Sequence, residues 1–403
     1  MGKALGGQCA LLLVVQALYG VANALSGTFV PVYLWKASQS YTLIGWFTFG
    51  QYLMSGLTFY VAGKWVKEHD KMISLRIGII LSGVFYCSVL LLGQQAKSYG
   101  VPLGILHGMA QGFFWLAYNV VYFEVTGPDN RDRFNGWAGL LGSTCGIIAP
   151  WVSGLLITTM HGEKGYRLIF TLSLVIFSIS VILSFWLKKR RVQGRYNWKH
   201  GFQQLMTKGN PWRRMLPAIM AQGVREGVFM FLVGLTVYIA TKNESKLGTY
   251  SLITSLVALV SFWLVGKFLK KNNRKAVMLI GAVMIAVVIL PLFWEVSYTT
   301  LLMLGIGTSL FMPMYIIPMT SRVFDLIGQS EESAREREEF IVLREAGLVL
   351  GRLIGLSSYL IVLPYNHSPL AITWLLFAVG AVPIAGWWFI KPFLERQQVQ
   401  QQG

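Results

Sequence analysis

A chain of 403 residues that is 54% hydrophobic and 13% charged, with a mean hydropathy of +0.54, carries about half the charge of an ordinary soluble domain, which is roughly 25%. This excludes a water-soluble enzyme, a disordered chain and a collagen-like fibre, and three cysteines (Cys9, Cys87, Cys145) exclude a disulfide scaffold or a multi-cysteine metal site. The 35 Lys+Arg against 17 Asp+Glu, a net charge of +18, then belong in the loops of a polytopic membrane protein.

A helix needs about 20 mostly apolar residues to cross the hydrocarbon core. Twelve such stretches follow one another, at 8–35, 42–63, 72–93, 100–126, 134–160, 166–187, 214–241, 247–266, 276–294, 298–323, 338–363 and 369–390. The first is too long for a cleavable signal, and its leading segment has only Lys3.

Span 1 carries Gln16, Tyr19 and Asn23, whose spacing of three and four predicts one helix face. The turn after span 2 reads GKWVKEHDKMISLRIG from Gly63, and Arg76 one turn into span 3 is expected to snorkel. Span 4 carries a second stripe, His107, Gln111, Trp115, Tyr118 and Tyr122, with Asn119 beside it, and closes on Glu124. Hydrogen-bonding groups mixed with aromatic faces suit the wall of a cavity for an amphipathic organic molecule. Glu124 is expected in an inner gate or turn contact with Arg131 or Arg133. Span 5 holds Ala149-Pro150-Trp151-Val152-Ser153-Gly154.

The segment 188–214 is the longest hydrophilic break and divides the chain into six spans plus six. The expected organisation is an N-terminal bundle (1–187), a cytoplasmic linker (188–213) and a C-terminal bundle (214–403). Within the linker, Trp198 and Phe202 suit a surface helix on anionic lipid.

Span 7 places Arg225-Glu226 about eleven residues from its end, roughly 16 Å deep at 1.5 Å per residue. Span 11 carries Arg344-Glu345 and then Arg352. Ionisable groups inside a bilayer cost roughly 2.5–3.5 kcal/mol each on insertion scales and mark function or a structural ion pair. Span 10 offers Met312, Met314, Tyr315 and Met319 around Pro313 and Pro318. The turn after span 8, GKFLKKNNRKAVMLIG from Gly266, aligns without a gap on the turn after span 2: Gly63 with Gly266, Lys71 with Arg274, Gly78 with Gly281. Phe123-Glu124…Gly127 after span 4 is echoed by Phe324-Asp325…Gly328 after span 10. Two echoes at nearly the same offset imply a duplicated chain.

Placing both termini in the cytoplasm puts 25 of the 35 Lys+Arg inside and six in the opposite loops, as the positive-inside rule requires.

The two turns and the span-5 segment resemble the major facilitator superfamily, and the resemblance covers essentially the whole chain. Gly63, Lys71, Gly266 and Arg274 match positions of that family's G-x-L-x-D-R-x-G-R-[RK] turn, with its Asp replaced by Lys67 and Lys270. Pro150 and Gly154 match its antiporter signature, G-P-x-x-G-G, with Ala149 and Ser153 replacing glycines. Gln111-Gly112 matches the Q-G of a third motif, whose Arg is Gly108 here. The resemblance implies an all-α membrane protein of twelve transmembrane helices in two pseudo-symmetric six-helix bundles. Spans 1, 4, 7 and 10 would line a cavity open alternately to each side.

The function expected is proton-coupled export of a small organic solute by a monomer in a bacterial cell membrane. Gln16, Tyr19, Asn23, His107, Gln111, Trp115, Tyr118, Asn119, Arg225 and Tyr315 are the candidate substrate residues, and Glu226, Arg344, Glu345 and Arg352 the candidate coupling residues. Gly63, Lys71, Glu124, Pro150, Gly154, Gly266 and Arg274 are the candidate gating residues. A lipid or glycolipid flippase on the same fold is the first alternative and a non-transporting receptor or assembly partner the second. The sequence has no GxxxxGK[ST] phosphate loop and no HExxH pair, so neither a cofactor, a metal nor enzymatic catalysis is expected, and nucleic acid is not an expected partner.

Overall fold

A computed structural model describes residues 6–126, 131–160, 163–188, 194–327 and 336–395. Among them the regular structure is helical, without strands. In chain order it comprises α1 (Gly7–Gly27), α2 (Val30–Ser38), α3 (Tyr41–Glu68), α4 (Lys71–Leu92), α5 (Gly100–Val125), α6 (Arg131–Thr159), α7 (Glu163–Ser184), α8 (His200–Met206), α9 (Trp212–Thr241), α10 (Glu244–Phe268), α11 (Arg274–Val287), α12 (Tyr298–Ile327), α13 (Arg337–Val362) and α14 (Pro369–Glu395).

The apolar windows of most of the long helices meet the length and hydropathy a membrane crossing requires, α4 and α5 falling in one continuous stretch, Lys71–Tyr122. Two long helices are more polar. Glycine, threonine and tyrosine dilute α3, and Arg344, Glu345 and Arg352 interrupt α13. The chain is therefore an all-α membrane protein with twelve spanning elements in two six-helix bundles.

Local chemistry sets the helix ends. The Ser40 hydroxyl caps α3 by accepting from Leu43 N–H, and the Asp70 carboxylate caps α4 by accepting from Met72 N–H. The first span differs from the single helix expected over 8–35. It breaks after Gly27, and α2 starts afresh with Pro31 in its first turn, where the missing N–H costs nothing. The ninth span breaks likewise: α11 ends at Val287, and a 3₁₀ turn, Leu290–Phe293, forms around Pro291. Arg76 does not only snorkel. Its guanidinium donates to the Ser184 and Leu187 carbonyls at 3.2 and 3.5 Å, closing the C-terminal end of α7, where a cation is favoured.

The chain divides into two compact units, residues 1–196 with 242–252, and residues 197–241 with 253–403. The first turns of α10 thus group with the first unit. Inside unit 1, α1 packs on α6 and α7, and α4 on α5 and α7. Inside unit 2, α9 packs on α13 and α14, and α11 on α12 and α14. Counted by spans, each bundle pairs its first with its fifth and sixth, and its third with its fourth and sixth. The duplication heard in the two turns is thus repeated in the packing. In the linker, the short helix α8 forms with Phe202 exposed. His200 at its start is buried against Phe340, with rings 4.6 Å apart, and lies 3.1 Å from Glu336.

Candidate functional site

Unit 1 holds the neutral candidate residues on α1 and α5. The Tyr19 ring stacks on Phe114 at 3.4 Å, and the Ser82 hydroxyl donates to its oxygen across 3.3 Å. Tyr118 donates to Gln16 Oε1 at 2.6 Å, joining the two helices. His107 stacks on Phe85 at 4.4 Å, and its Nε2 shares a hydrogen bond with Gln111 at 3.1 Å. Asn23 turns back to donate to the Tyr19 carbonyl in its own helix. Burial separates these residues into two sets. Tyr19, His107 and Tyr118 are buried, whereas Gln16, Asn23, Gln111 and Asn119 are half-buried and Trp115 is 37% exposed. The buried set holds the accessible set in position: Tyr118 fixes the Gln16 amide, His107 fixes that of Gln111, and Tyr19 and Tyr118 meet the Trp115 ring edge-on at 6.1 and 5.7 Å.

Unit 2 holds the charged candidate residues on α9 and α13. Glu345 and Arg352 stand two turns apart on one face of α13. Arg352 Nη1 lies 2.8 Å from Glu345 Oε1, and Arg352 Nη2 lies 2.9 Å from Glu226 Oε2 on α9. Arg352 Nε also donates to that Glu226 oxygen, at 3.3 Å, while Gln222 donates to Glu226 Oε1 at 2.7 Å. One guanidinium therefore serves two carboxylates near the middle of two spanning helices. The backbone lets α9 and α13 come this close because glycines face carbonyls. A Cβ at Gly351 would run into the Met220 oxygen, one at Gly355 into that of Val224, one at Gly223 into that of Leu348, and one at Gly227 into that of Arg352. Such small-residue crossings are the usual way helices approach in lipid.

Arg225 and Arg344 also make contacts outside this triad. Arg225 is buried and turns to α12, where it donates to Thr308 Oγ1 at 3.2 Å and to Met312 Sδ at 3.6 Å, over the Phe229 ring. Arg344 lies over the Phe324 ring, 5.9 Å from its centroid. Adjacent residues on a helix point about 100° apart, so Arg225 and Glu226 leave in different directions. Tyr315 and Met319 lie in the packed core of unit 2.

The candidate gating residues lie in both units. Arg274 at the start of α11 pairs with Asp325 on α12 at 3.0 Å. Gly63 is buried in α3, Lys71 is buried at the start of α4, and Gly266 on α10 faces open space. The Glu124 side chain lies outside the described residues, as do the side chains of Arg131 and Arg133 and the residues Gly127 and Gly328. Pro150 and Gly154 meet the first turns of α10: a Cβ at Gly154 would stand 2.6 Å from the Glu244 carbonyl oxygen, and one at Gly248 would stand 2.9 Å from that of Pro150. Beside this crossing, Lys36 at the end of α2 lies 2.8 Å from Glu244 Oε1, and the Tyr166 hydroxyl donates to the same oxygen at 3.2 Å.

Sequence reasoning missed Lys36, Glu244, Tyr166, Gln222 and Thr308. Lys36 and Glu244 are 208 residues apart at the edges of spans, where charge is ordinary. Gln222 carried a usable signal, since it precedes Glu226 by one helical turn.

The family model described as "Major Facilitator Superfamily" matches residues 12–333. The chain is 37% identical over 380 residues to "Uncharacterized protein YqgE" of Bacillus subtilis (strain 168), covering 94% of this chain and 88% of that one. It is 42% identical over 160 residues to "Uncharacterized protein in sodM 3'region" of Geobacillus stearothermophilus, covering 40% of this chain and 75% of that one. Among solved structures it is similar to a bacterial homologue of the iron transporter ferroportin in an inward-facing state, with TM-score 0.70, 14% identity, and coverage of 98% of this chain and 100% of that one. It is also similar to the nucleoside transporter NupG, with TM-score 0.69, 14% identity, and coverage of 96% and 99%. A D-xylose-proton symporter gives TM-score 0.69 at 13% identity, covering 94% and 96%. These three likenesses are of fold.

Proposed function

The chain belongs to the major facilitator superfamily, and on that premise we propose that it is a proton-coupled secondary transporter exporting a small organic solute across a cell membrane. Family membership makes it a multi-pass membrane transport protein rather than an enzyme. The orientation with both termini in the cytoplasm rests on the lysine and arginine count, 25 inside against six.

The observation that carries proton coupling is Arg352 held between Glu226 and Glu345. Two carboxylates and one guanidinium leave one formal negative charge in the triad, and a proton on either carboxylate removes it. A charge withdrawn from water is costly to leave without a partner. Protonating Glu226 leaves Arg352 to Glu345 alone and loosens one tie between α9 and α13. Gln16, Asn23, Gln111, Trp115 and Asn119 are the residues that meet the solute, with amides for its polar groups and the Trp115 face for its apolar body. Tyr19, His107 and Tyr118 position them. Arg225 adds a fixed positive charge on the side of α12. Arg344 completes the positive surplus of α13 outside the triad.

Export is the direction favoured by the Pro150–Gly154 segment. Its contact with α10, latched by Lys36, Glu244 and Tyr166, serves as the outer gate. Gly63, Lys71, Gly266 and Arg274 serve the turns on the opposite face, and Glu124 serves the inner gate.

The test is transport in vesicles of the purified protein under an imposed proton gradient, with the solute first found by a thermal-shift screen of metabolites and antibiotics. Glu226→Gln is expected to abolish uphill accumulation while solute exchange at equilibrium continues. Undiminished accumulation in that variant would remove the proton role from Glu226.

A further inference from the structure

A cavity of about 510 Å³ opens beside the start of α9, lined by Gly209, Asn210, Arg213, Arg214, Pro392 and Phe393. It lies away from the candidate transport site and joins the end of the linker to the last turns of α14. We propose that it binds the phosphate headgroup of an anionic phospholipid from the adjoining leaflet.

The arginines are the first reason. Arg213 and Arg214 stand in the first turn of α9, a turn with no acidic residue. Cations there oppose the helix dipole, so they do not stabilise the helix that carries them. Both are exposed, and among the described residues neither has an ion pair. Two planar guanidinium forks on one cavity suit the oxygens of a phosphate.

The second reason is that the wall is built. Gly209 takes a left-handed conformation, φ +82°, which turns the chain out of the linker. Asn210 then accepts from Trp212 N–H at 2.9 Å and donates to Gln204 on α8. The loop is tied at both ends before any ligand arrives.

The third reason distinguishes a lipid from a soluble anion. Pro392 and Phe393 supply an apolar side to the cavity. Next to them on α14, Lys391 stands over Trp387 and Trp388, about one turn earlier, at 5.5 and 5.6 Å, and Trp388 is 58% exposed. Tryptophan and lysine at a helix end mark the headgroup level of a bilayer. A basic cavity at that depth with an apolar flank fits an amphiphile.

The experiment is native mass spectrometry of the full-length protein released from mixed phosphatidylglycerol and phosphatidylcholine micelles. Wild type is expected to retain phosphatidylglycerol roughly thirtyfold over phosphatidylcholine, given about 1 kcal/mol for each of the two arginines near the surface. Arg213→Ala with Arg214→Ala should erase that preference at an unchanged melting temperature. Arg213→Lys with Arg214→Lys, the variant to use if the alanine pair does not fold, should keep part of it, because the charge stays and the fork is lost. Phe393→Ala should weaken lipid retention. Equal retention of the two lipids by wild type, or an alanine pair that keeps the preference, would overturn the proposal. So would displacement of phosphatidylglycerol by an equal concentration of glycerol phosphate, which would make this a soluble-anion site. The readout is binding, so it stands or falls separately from proton-coupled transport.

Discussion

Arg274 and Asp325 stand 3.0 Å apart and tie the start of α11 to α12. Both belong to segments that the sequence repeats, Arg274 aligning with Lys71 and Asp325 with Glu124. The repeat in the sequence therefore keeps a charge of the same sign at each of the two aligned positions, although the residue types change.

Exchanging these two charges tests whether the pair acts as a contact or only as surface charge. Arg274→Asp or Asp325→Arg alone is expected to slow transport, with melting changed little, since partly exposed pairs contribute roughly 0.2–1 kcal/mol. The double exchange should recover most of the transport rate. Vesicle uptake for the four proteins reads the coupling directly, and strictly additive losses would count against the pair.

Arg352 is expected to be structurally expensive to lose. Arg352→Ala leaves Glu226 and Glu345 without their shared cation, and because the three groups are half-buried the cost falls below the roughly 3–5 kcal/mol of breaking a fully buried pair on one side. Adding Glu226→Gln and Glu345→Gln to that variant should return much of the stability, because the charges left behind are then gone. Thermal unfolding of the single and triple variants in one detergent compares them. An Arg352→Ala protein as stable as wild type would mean that the triad is not closed in solution.

The α9–α13 crossing predicts a second kind of failure. Gly351→Leu puts a side chain against the Met220 carbonyl, and backbone cannot yield as a flexible side chain can. The helices must separate, at a cost of about 1–3 kcal/mol or more, and Glu226 loses its register on Arg352. Loss of monodisperse protein, or of proton-driven uptake in what remains, is the expected result. Gly142→Leu on α6, where a Cβ meets nothing within 4 Å, is the tolerated control.

Glu244 joins three elements through one carboxylate oxygen, accepting from Lys36 and from Tyr166. Glu244→Gln keeps an acceptor for Tyr166 and removes the ion pair. Glu244→Ala removes both. If the contact is a latch, a Ser245→Cys protein with its native cysteines replaced should react faster with an impermeant maleimide in the order wild-type Glu244, Gln, Ala. Equal labelling rates would assign these bonds to packing alone.

The membrane class, the twelve crossings, the repeat and the interrupting charges were all legible in the chain itself. Each depends on a property that accumulates along it: apolar length against bilayer thickness, basic residues in loops, and spacing of three and four on a helix. The break after Gly27 leaves a trace in Pro31, set within an otherwise mostly apolar run.

Partner choice was decided only by the tertiary structure. Sequence spacing placed Arg225, Glu226, Arg344, Glu345 and Arg352 at suitable depths, yet the way each side chain leaves its helix sent Arg225 to Thr308 and Arg344 towards Phe324, and left Arg352 with two glutamates. The bond from Lys36 to Glu244 spans 208 residues, and no periodicity along one helix carries that information. A linear pattern reports which face of a helix is polar, whereas the choice of ion-pair partner needs the rotation and approach of a second helix, set here by glycines against carbonyls.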